Sequence, residues 1–317
     1  MKSPAALPAF SIAACLRQIG RGKDGSRGLA RADARALMQA IVDGQVDELA
    51  LGGVLLALRM KGEEAEEIAG FLDALSEGAA RAPARAPGWV LLPSYNGARS
   101  VPNLLPLLAL LLARDGLPVL VHGQASEPGH APRPRVTSLA IFDALGVAPC
   151  ASLAAAGDCA DAGQPVVLPL AALSTPLARL VGLRARLGVR NVAHTLVKLL
   201  RPVQGRALLV TSYTHPAFGR LQAELFALTG ALAMSLRGTD GESVISARRA
   251  QSADLWRDGQ RHAVLAGTAV AEPEPGLPAL DAASTARWIE AVLAGRVPVP
   301  AAIAQQQAAI RAALTDA

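Results

Sequence analysis

The chain has 317 residues, 51% of them apolar, and a net charge of +5. This length exceeds the usual size of a single hydrophobic core, so we expect two domains. The longest apolar run, residues 104–113, is shorter than the span of about 20 residues that a bilayer requires, which excludes a transmembrane helix there.

The N-terminus resembles a lipoprotein signal up to Cys15, but Pro4 and Pro8 interrupt its apolar part and the pattern continues as an amphipathic helix. We therefore expect a cytoplasmic protein that does not bind membranes. The cysteines, Cys15, Cys150 and Cys159, form no CxxC pair and no metal-ligand spacing. We expect them to be reduced and structural, with no metal site.

Helical periodicity dominates the first eighty residues. Apolar positions recur at helical spacing in ADARALMQAIVDG and in ELALGGVLLALRMKG, and each stretch ends at a glycine. Glutamates open the next helical stretch, EEAEEIAGFLDALSEGA, where they suit the positive end of the helix dipole. These patterns predict a small all-helical domain over residues 1–88, ending in the Pro-rich connector 81–88.

The rest of the chain alternates strands with helices. Short apolar runs at 89–93, 118–123, 165–170 and 207–213 predict buried strands, and helical patterns separate them at 104–113, 138–145 and 217–228. This alternation predicts a larger α/β domain with a mostly parallel sheet, formed by residues 89–172 and 204–317. The Pro- and Ala-rich tail predicts two last helices, the first capped by Ser284.

Residues 175–200 interrupt the alternation with two consecutive helices, divided near Gly188. We expect this returning segment, about 173–203, to join the helical domain. It is also strongly basic, because no Asp or Glu lies between Asp161 and Glu224. Most charge runs are solvated faces, but a long interval without acids is typical of a polyanion-binding surface. The cations in this acid-free interval are Arg179, Arg184, Arg186, Arg190, Lys198, Arg201, Arg206 and Arg220.

Several phrases resemble anthranilate phosphoribosyltransferase over nearly the whole chain: a strand ending in HG, a helix ending in DALG, and LGVRN before an apolar helix. In that family, backbone N–H groups of a glycine-rich GTGGD loop bind the pyrophosphate of phosphoribosyl pyrophosphate. The corresponding stretch here is PSYNGARSVPNL, in which Gly97 and Asn103 match and Tyr95 replaces a glycine. The resemblance implies a vestigial phosphate loop that comprises Tyr95, Asn96, Gly97, Asn103, His122 and Gly123.

Two further motifs of the family are also altered. The KHGNR motif supplies two cations for the phosphates, and here Val121 and Ala125 stand at their positions. An Asp-Glu pair carries magnesium in the family, and here Ser243 and Val244 replace it within RGTDGESVIS. Asp240 and Glu242 lie nearby, although not at the matching positions. We therefore expect no catalytic residues and no cofactor.

A fourth motif has gained cations instead. RNVAHTLVKLLRP carries His194, Lys198 and Arg201 where the enzymes have uncharged residues. Spacings of four, four and three predict that these three side chains and Arg190 share one helix face. Arg184 matches an arginine that the enzymes use to hold anthranilate, and Arg99 lies in the altered phosphate loop. RGKDGSR, with Arg21 and Lys23, is a second basic loop or an ordinary exposed turn.

Together with the phrases LRQIGRGKDGSRGLARADA, SYNGARS, TSYTH and RGTDGE, these changes resemble a DNA-binding branch of the fold, whose members are homodimers. The resemblance implies non-catalytic, sequence-independent binding of DNA or RNA, and a homodimer formed through the N-terminal helices. Aromatic residues make up 3% of the chain, too few for a base-stacking platform, so we expect mainly electrostatic contacts. The predicted contact residues are Arg184, Arg186, Arg190, His194, Lys198, Arg201, Arg206, Arg21, Lys23 and Arg99.

Two alternatives stay open at the level of sequence. One is a diverged phosphoribosyltransferase that uses phosphoribosyl pyrophosphate and magnesium, and the other is a scaffold whose basic cleft recognises an acidic protein. For Tyr95, core packing competes with a contact to a base. For His122, the expected role is that of a buried, hydrogen-bonded histidine. His194 is expected to strengthen polyanion binding when it is protonated, between about pH 5.5 and 7.5.

Overall fold

The structure is a computed structural model that describes residues 10–22, 24–124, 135–161, 163–238, 240–247, 251–267 and 276–315. It begins with four helices, α1 (Ile12–Ile19), α2 (Arg31–Val42), α3 (Glu48–Lys61) and α4 (Ala65–Ser76). Polar side chains fix the starts of two of them, since Asp47 accepts a hydrogen bond from the Ala50 N–H of α3 and a capping box of Glu64 and Glu67 opens α4. The predicted all-helical N-terminal domain is confirmed.

A seven-stranded sheet follows, in the order β3-β2-β1-β4-β5-β6-β7. The first five strands pair in parallel and the last two are antiparallel. The mostly parallel α/β domain is therefore confirmed, although the sequence had predicted only β1 to β4. The strands are β1 (Trp89–Ser94), β2 (Val119–Gly123), β3 (Val166–Pro169), β4 (Ala207–Tyr213), β5 (Ala233–Arg237), β6 (Ala253–Arg257) and β7 (Gln260–Leu265).

Side chains of alternate strand residues fill two separate cores. Trp89 and Leu91 of β1 face the layer that contains the N-terminal helices, whereas Val90 and Leu92 face the opposite layer. Burial on both faces explains why these strands read as continuous apolar runs. The helices that cover the sheet are α5 (Leu105–Arg114), α6 (Ser138–Ala144), α7 (Ala156–Asp161), α12 (Pro216–Thr229), α13 (Ala282–Leu293) and α14 (Ala301–Thr315).

The returning segment differs from its prediction. Instead of two helices over 175–200, it forms α8 (Leu170–Leu173), α9 (Thr175–Gly182), α10 (Arg184–Leu187) and α11 (Ala193–Leu196). Gly188 ends α10 in the left-handed conformation, so helical periodicity does not continue across it. At α13, Asp281 is the N-cap and the Ser284 N–H is its donor, which corrects the predicted cap.

In the part of the chain that the structure describes, no helix combines the length and apolarity needed to cross a membrane.

Candidate functional site

The carboxyl ends of β1, β2, β4 and β5 meet at one edge of the sheet, as parallel pairing requires. The loop 94–100 leaves β1 at this edge, and the segment 240–247 lies beside it. Parallel sheets typically bind ligands at this end of the strands. The site is therefore built from segments far apart in sequence, joined by hydrogen bonds between residues up to 148 positions apart.

Glu242 accepts hydrogen bonds from backbone N–H groups of the loop 94–100. Its Oε1 accepts hydrogen bonds from the N–H groups of Asn96 at 2.8 Å and of Gly97 at 2.7 Å, while the Ser94 hydroxyl donates to Oε2. The side chain is buried, with 3% of the residue exposed. A carboxylate that receives two backbone N–H groups and a hydroxyl is bound as a phosphate oxygen would be.

Asp240 completes the occupation of the loop. Its Oδ2 accepts from the N–H groups of Arg99 at 3.1 Å and of Ser100 at 2.9 Å, and the Ser100 hydroxyl donates to Oδ1 at 3.2 Å. Burial raises the pKa of the Asp240 carboxyl, but the hydrogen bonds from Ser100 and Arg99 outweigh it, so the net pKa lies below the usual value. The group is thus an anion at neutral pH.

A small cavity lies between the loop and these carboxylates in the part of the chain that the structure describes. The cavity lined by Val101, Asn103, Asp240 and Glu242 has a volume of about 20 Å³. That is room for about one water molecule. Four backbone donors of the loop, the N–H groups of Asn96, Gly97, Arg99 and Ser100, are therefore satisfied by the chain's own carboxylates.

Cations surround this acidic pair. The Lys198 ammonium donates to the Gly241 carbonyl at 3.0 Å, and the Arg135 guanidinium donates to the Gly97 carbonyl at 3.0 Å. Burial lowers the pKa of Lys198 to about 8; Glu242 opposes this shift, and Arg190 and Arg135 add to it. Lys198, Arg190 and Arg135 are thus close enough to interact electrostatically, and together they form what we call the cation cluster.

The predicted single basic helix face is wrong. Helix α11 spans only four residues, and neither Arg190, Lys198 nor Arg201 lies within it. Lys198 points to the carboxyl end of the sheet, whereas Arg201 donates to the carbonyl of Ala207, the first residue of β4, at 2.8 Å. The chain turns between them and continues to Pro202, so helical spacing does not relate their directions.

Three other predicted contact residues, Arg186, Arg206 and Arg21, make contacts away from the cation cluster. Arg186 forms an exposed ion pair with Glu48 at 3.1 Å, and Arg206 donates to the Ala313 carbonyl of the last helix at 3.3 Å. Arg21 donates to the Arg17 carbonyl at the end of α1. Arg184 is half-buried on α10. His194 is half-buried on α11, where its Nδ1 accepts from the Asn191 N–H at 3.3 Å.

Two positions named by the sequence, Lys23 and Ala125, lie outside the described residues. Arg99 is exposed at the loop. Its main-chain N–H, rather than its guanidinium, makes the contact to Asp240.

Tyr95 and His122 form a buried pair behind the loop. The Tyr95 hydroxyl lies 2.7 Å from His122 Nδ1, and the rings meet edge to face at 5.5 Å between centroids. Burial lowers the pKa of His122 to about 3, so the imidazole is neutral. The expected buried, hydrogen-bonded histidine is confirmed, and Tyr95, with 8% of its surface exposed, packs in the core.

The remaining loop residues have structural partners. Asn103 accepts from the Leu105 N–H and donates to the Ser138 hydroxyl at 3.0 Å, which fixes the start of α5. Gly97 has a φ of +61°, a conformation that glycine adopts without strain. Gly123 is required by close packing, because a Cβ there would lie 2.1 Å from the Ser94 carbonyl oxygen.

Sequence reasoning missed three members of the site. Arg135 belongs to no recognised motif, and Asp240 and Glu242 were noted only as displaced from the magnesium-binding positions. One signal was available for the two acids. Buried backbone N–H groups of a loop need acceptors, so carboxylates near the loop were the natural candidates.

The parallel sheet, the N-terminal helices and the loop at the carboxyl ends of the strands define a protein of the anthranilate phosphoribosyltransferase fold. The helical bundle domain of the glycosyl transferase family matches residues 13–79. Anthranilate phosphoribosyltransferase from Saccharomyces cerevisiae in complex with PRPP and Mg has a similar structure, with a TM-score of 0.73 and 15% identity over 96% of this chain and 89% of that one.

Sequence relatives narrow the assignment. Anthranilate phosphoribosyltransferase from Brevibacillus brevis is 29% identical over 77% of this chain and 70% of its own. YbiB from Escherichia coli strain K12 is 40% identical over 95% of this chain and 94% of its own. The chain therefore belongs to the YbiB family, a branch of the anthranilate phosphoribosyltransferase family.

Proposed function

We propose that this protein binds nucleic acid by contacting the phosphate backbone of the nucleic acid, and that it does not transfer phosphoribosyl groups. One observation carries the proposal: Glu242 and Asp240 take the backbone donors that would receive a pyrophosphate, while the cation cluster surrounds them. Two acids of the chain thus take the place of a small phosphate in the loop, while three cations lie close by.

The chemistry of the site favours a polyanion over a small phosphate ester. A phosphoribosyl donor needs magnesium, and magnesium binds through carboxylates together with substrate phosphates. Here the carboxylates of Asp240 and Glu242 are committed to backbone N–H groups and are poorly placed to accept a cation as well. A nucleic-acid backbone is bound by cations spaced along the protein. Here the exposed Arg99 and the half-buried Arg190 and Lys198 would supply them.

A homodimer would extend this surface, and α3 offers a face for it. Leu49, Leu56 and Met60 follow one another at helical spacing, and Leu49 and Met60 are 88% and 85% exposed. Large apolar side chains this exposed along one helix are typical of a protein interface. We propose a second copy of the chain as its partner, in accordance with the homodimer that the family resemblance implies.

A salt titration tests the function. We expect wild-type protein to bind a fluorescent duplex without sequence preference, with an affinity that falls by roughly 10³–10⁵ between 50 and 200 mM salt if about 6–10 phosphates are contacted. Changing Arg190 and Lys198 to Ala removes two contacts. The slope of log affinity against log salt should then decrease by about 1.8, and affinity at 0.1 M salt should fall by about 60-fold.

A charge-matched control separates this site from general electrostatics. Arg287 and Arg296 are exposed at α13 and beyond its end, so their change to Ala removes the same net charge elsewhere. We expect that double variant to bind nearly as the wild type does. Equal losses in both variants, or a salt-insensitive binding curve, would contradict the proposed contact site.

The alternative is a diverged transferase, which the names of the relatives favour. It predicts magnesium-dependent binding of phosphoribosyl pyrophosphate, which calorimetry with and without magnesium measures directly. We expect no heat of binding in either condition. The scaffold alternative predicts instead that an acidic polypeptide such as polyglutamate binds at 50 mM salt while DNA and heparin do not.

A further inference from the structure

Two thiols lie close together where α7 packs beside β3, the strand at one edge of the sheet. Cys159, within α7, donates a hydrogen bond from its Sγ to the Sγ of Cys150 at 3.0 Å. Cys150 in turn donates to the Ser152 carbonyl at 3.3 Å. The sequence had given no reason to pair them, because eight residues separate them and neither belongs to a CxxC motif.

Different backbone contacts hold each sulfur in position. The Cys150 N–H donates to the Val167 carbonyl of β3 at 2.7 Å, and the Cys159 N–H donates to the Ala155 carbonyl at 3.1 Å. One thiol is thus anchored to the sheet and the other to the helix. With the backbone of each cysteine held by such a contact, the two sulfur atoms lie 3.0 Å apart, within reach of bond formation.

The two thiols differ in their access to solvent. Cys150 is buried, with 5% exposed, whereas Cys159 is partly exposed. A small oxidant from solution therefore reaches Cys159 first, and the buried Cys150 is positioned to attack the oxidised sulfur. This arrangement, an accessible thiol beside a resolving one, is typical of thiols that respond to oxidants.

We propose that Cys150 and Cys159 form a reversible disulfide, with a peroxide as the oxidant. The Cys159 thiolate attacks one peroxide oxygen, the O–O bond breaks, and a sulfenic acid and hydroxide form. The Cys150 thiol then attacks the sulfenic sulfur, and the S–S bond forms as hydroxide leaves and is protonated to water. Two thiols lose two electrons in total, and hydrogen peroxide is reduced to two molecules of water.

The reaction is slow at neutral pH and accelerates in base. The hydrogen bond to Cys150, with burial as the second cause, raises the pKa of Cys159 to about 11. Because the thiolate is the reacting form, the rate of cross-linking should rise about tenfold for each pH unit below that pKa.

Peptide mapping of the whole chain tests the proposal. No Lys or Arg lies between Arg135 and Arg179, so trypsin releases both thiols in one fragment, 136–179. Reduced protein is treated with hydrogen peroxide at pH 8, blocked with iodoacetamide and digested without reductant. We expect the fragment to lack two hydrogens and carry no alkyl group, and to take two alkyl groups after dithiothreitol.

Controls come from the same chain. Cys15 is buried in α1, where burial raises its pKa, so its fragment should take one alkyl group with or without peroxide. In Cys150→Ser, peroxide should leave a Cys159 sulfenic acid that dimedone traps; in Cys159→Ser, Cys150 should stay reduced. A wild-type fragment that takes two alkyl groups after peroxide, or carries sulfinic acid without the cross-link, would overturn the proposal.

Discussion

Replacement of Glu242 by Ala tests the internal occupation of the phosphate loop. The change removes the acceptor of the Asn96 and Gly97 N–H groups and of the Ser94 hydroxyl, all at buried positions. Ser94 can turn toward the Ser138 hydroxyl, which lies 2.7 Å away, so the hydroxyl finds a new partner. The two backbone N–H groups cannot turn, and they remain without an acceptor.

The size of the effect follows from those two donors. A buried donor left unsatisfied costs about 1–3 kcal/mol, so Glu242→Ala should destabilise the protein by about 2–6 kcal/mol. At about 2 °C per kcal/mol for a large domain, this lowers the Tm by about 4–12 °C. Glu242→Gln is the matched control, because its amide oxygen still accepts both N–H groups, and it should cost about 1 kcal/mol.

Differential scanning calorimetry with added anions completes the test. In Glu242→Ala the loop again has free donors and space for an anion, so formate or inorganic phosphate should restore stability. At 100 times its dissociation constant, a bound anion returns about 2.7 kcal/mol. The wild type and Glu242→Gln should gain only the small general effect that these salts have on any protein.

Two outcomes would refute this reasoning. A Tm of Glu242→Ala within about 1 °C of the wild type would mean that the loop rearranges without cost. Equal Tm losses in the Ala and Gln variants would mean that the negative charge, and not the acceptor oxygen, stabilises the site.

Two further predictions concern binding and assembly. Lys198, with its pKa near 8, should lose its charge between pH 7 and 9, so affinity for a duplex should fall by up to about eightfold at 0.1 M salt. Anisotropy should find this dependence weaker in Lys198→Met, and an unchanged profile would exclude Lys198 from the contact surface. Changing Leu49 and Met60 to Lys should raise the dimer dissociation constant by at least about 100-fold in sedimentation, and a variant that stays dimeric would move the interface away from α3.

The sequence predicted the first four strands closely because each is buried on both faces and bounded by Pro or Gly. It missed β5, β6 and β7 for a physical reason. The outer strand β7 is mostly exposed and carries Gln260, Arg261 and His262, so it has no apolar run to identify it. β5 is short and closely follows α12, since only residues 230–232 separate them.

The basic face was the larger error. Spacings of four and three residues predict a shared face only if the chain remains helical, and here α11 ends at Leu196. The turns that follow send Lys198 toward the Gly241 carbonyl and Arg201 toward the Ala207 carbonyl. The sequence therefore showed which residues are basic, but their spacing did not determine which of them lie together.

The sequence by itself determined the N-terminal helices, the first four strands, the missing glycines of the loop 94–100 and the absence of acids between Asp161 and Glu224. These properties are local, and each can be read from neighbouring residues. Only the tertiary structure decided what fills the loop, because the groups that do so, Glu242 and Asp240, lie 140 or more positions away. The same is true of Cys150 and Cys159, whose contact depends on how α7 packs beside β3.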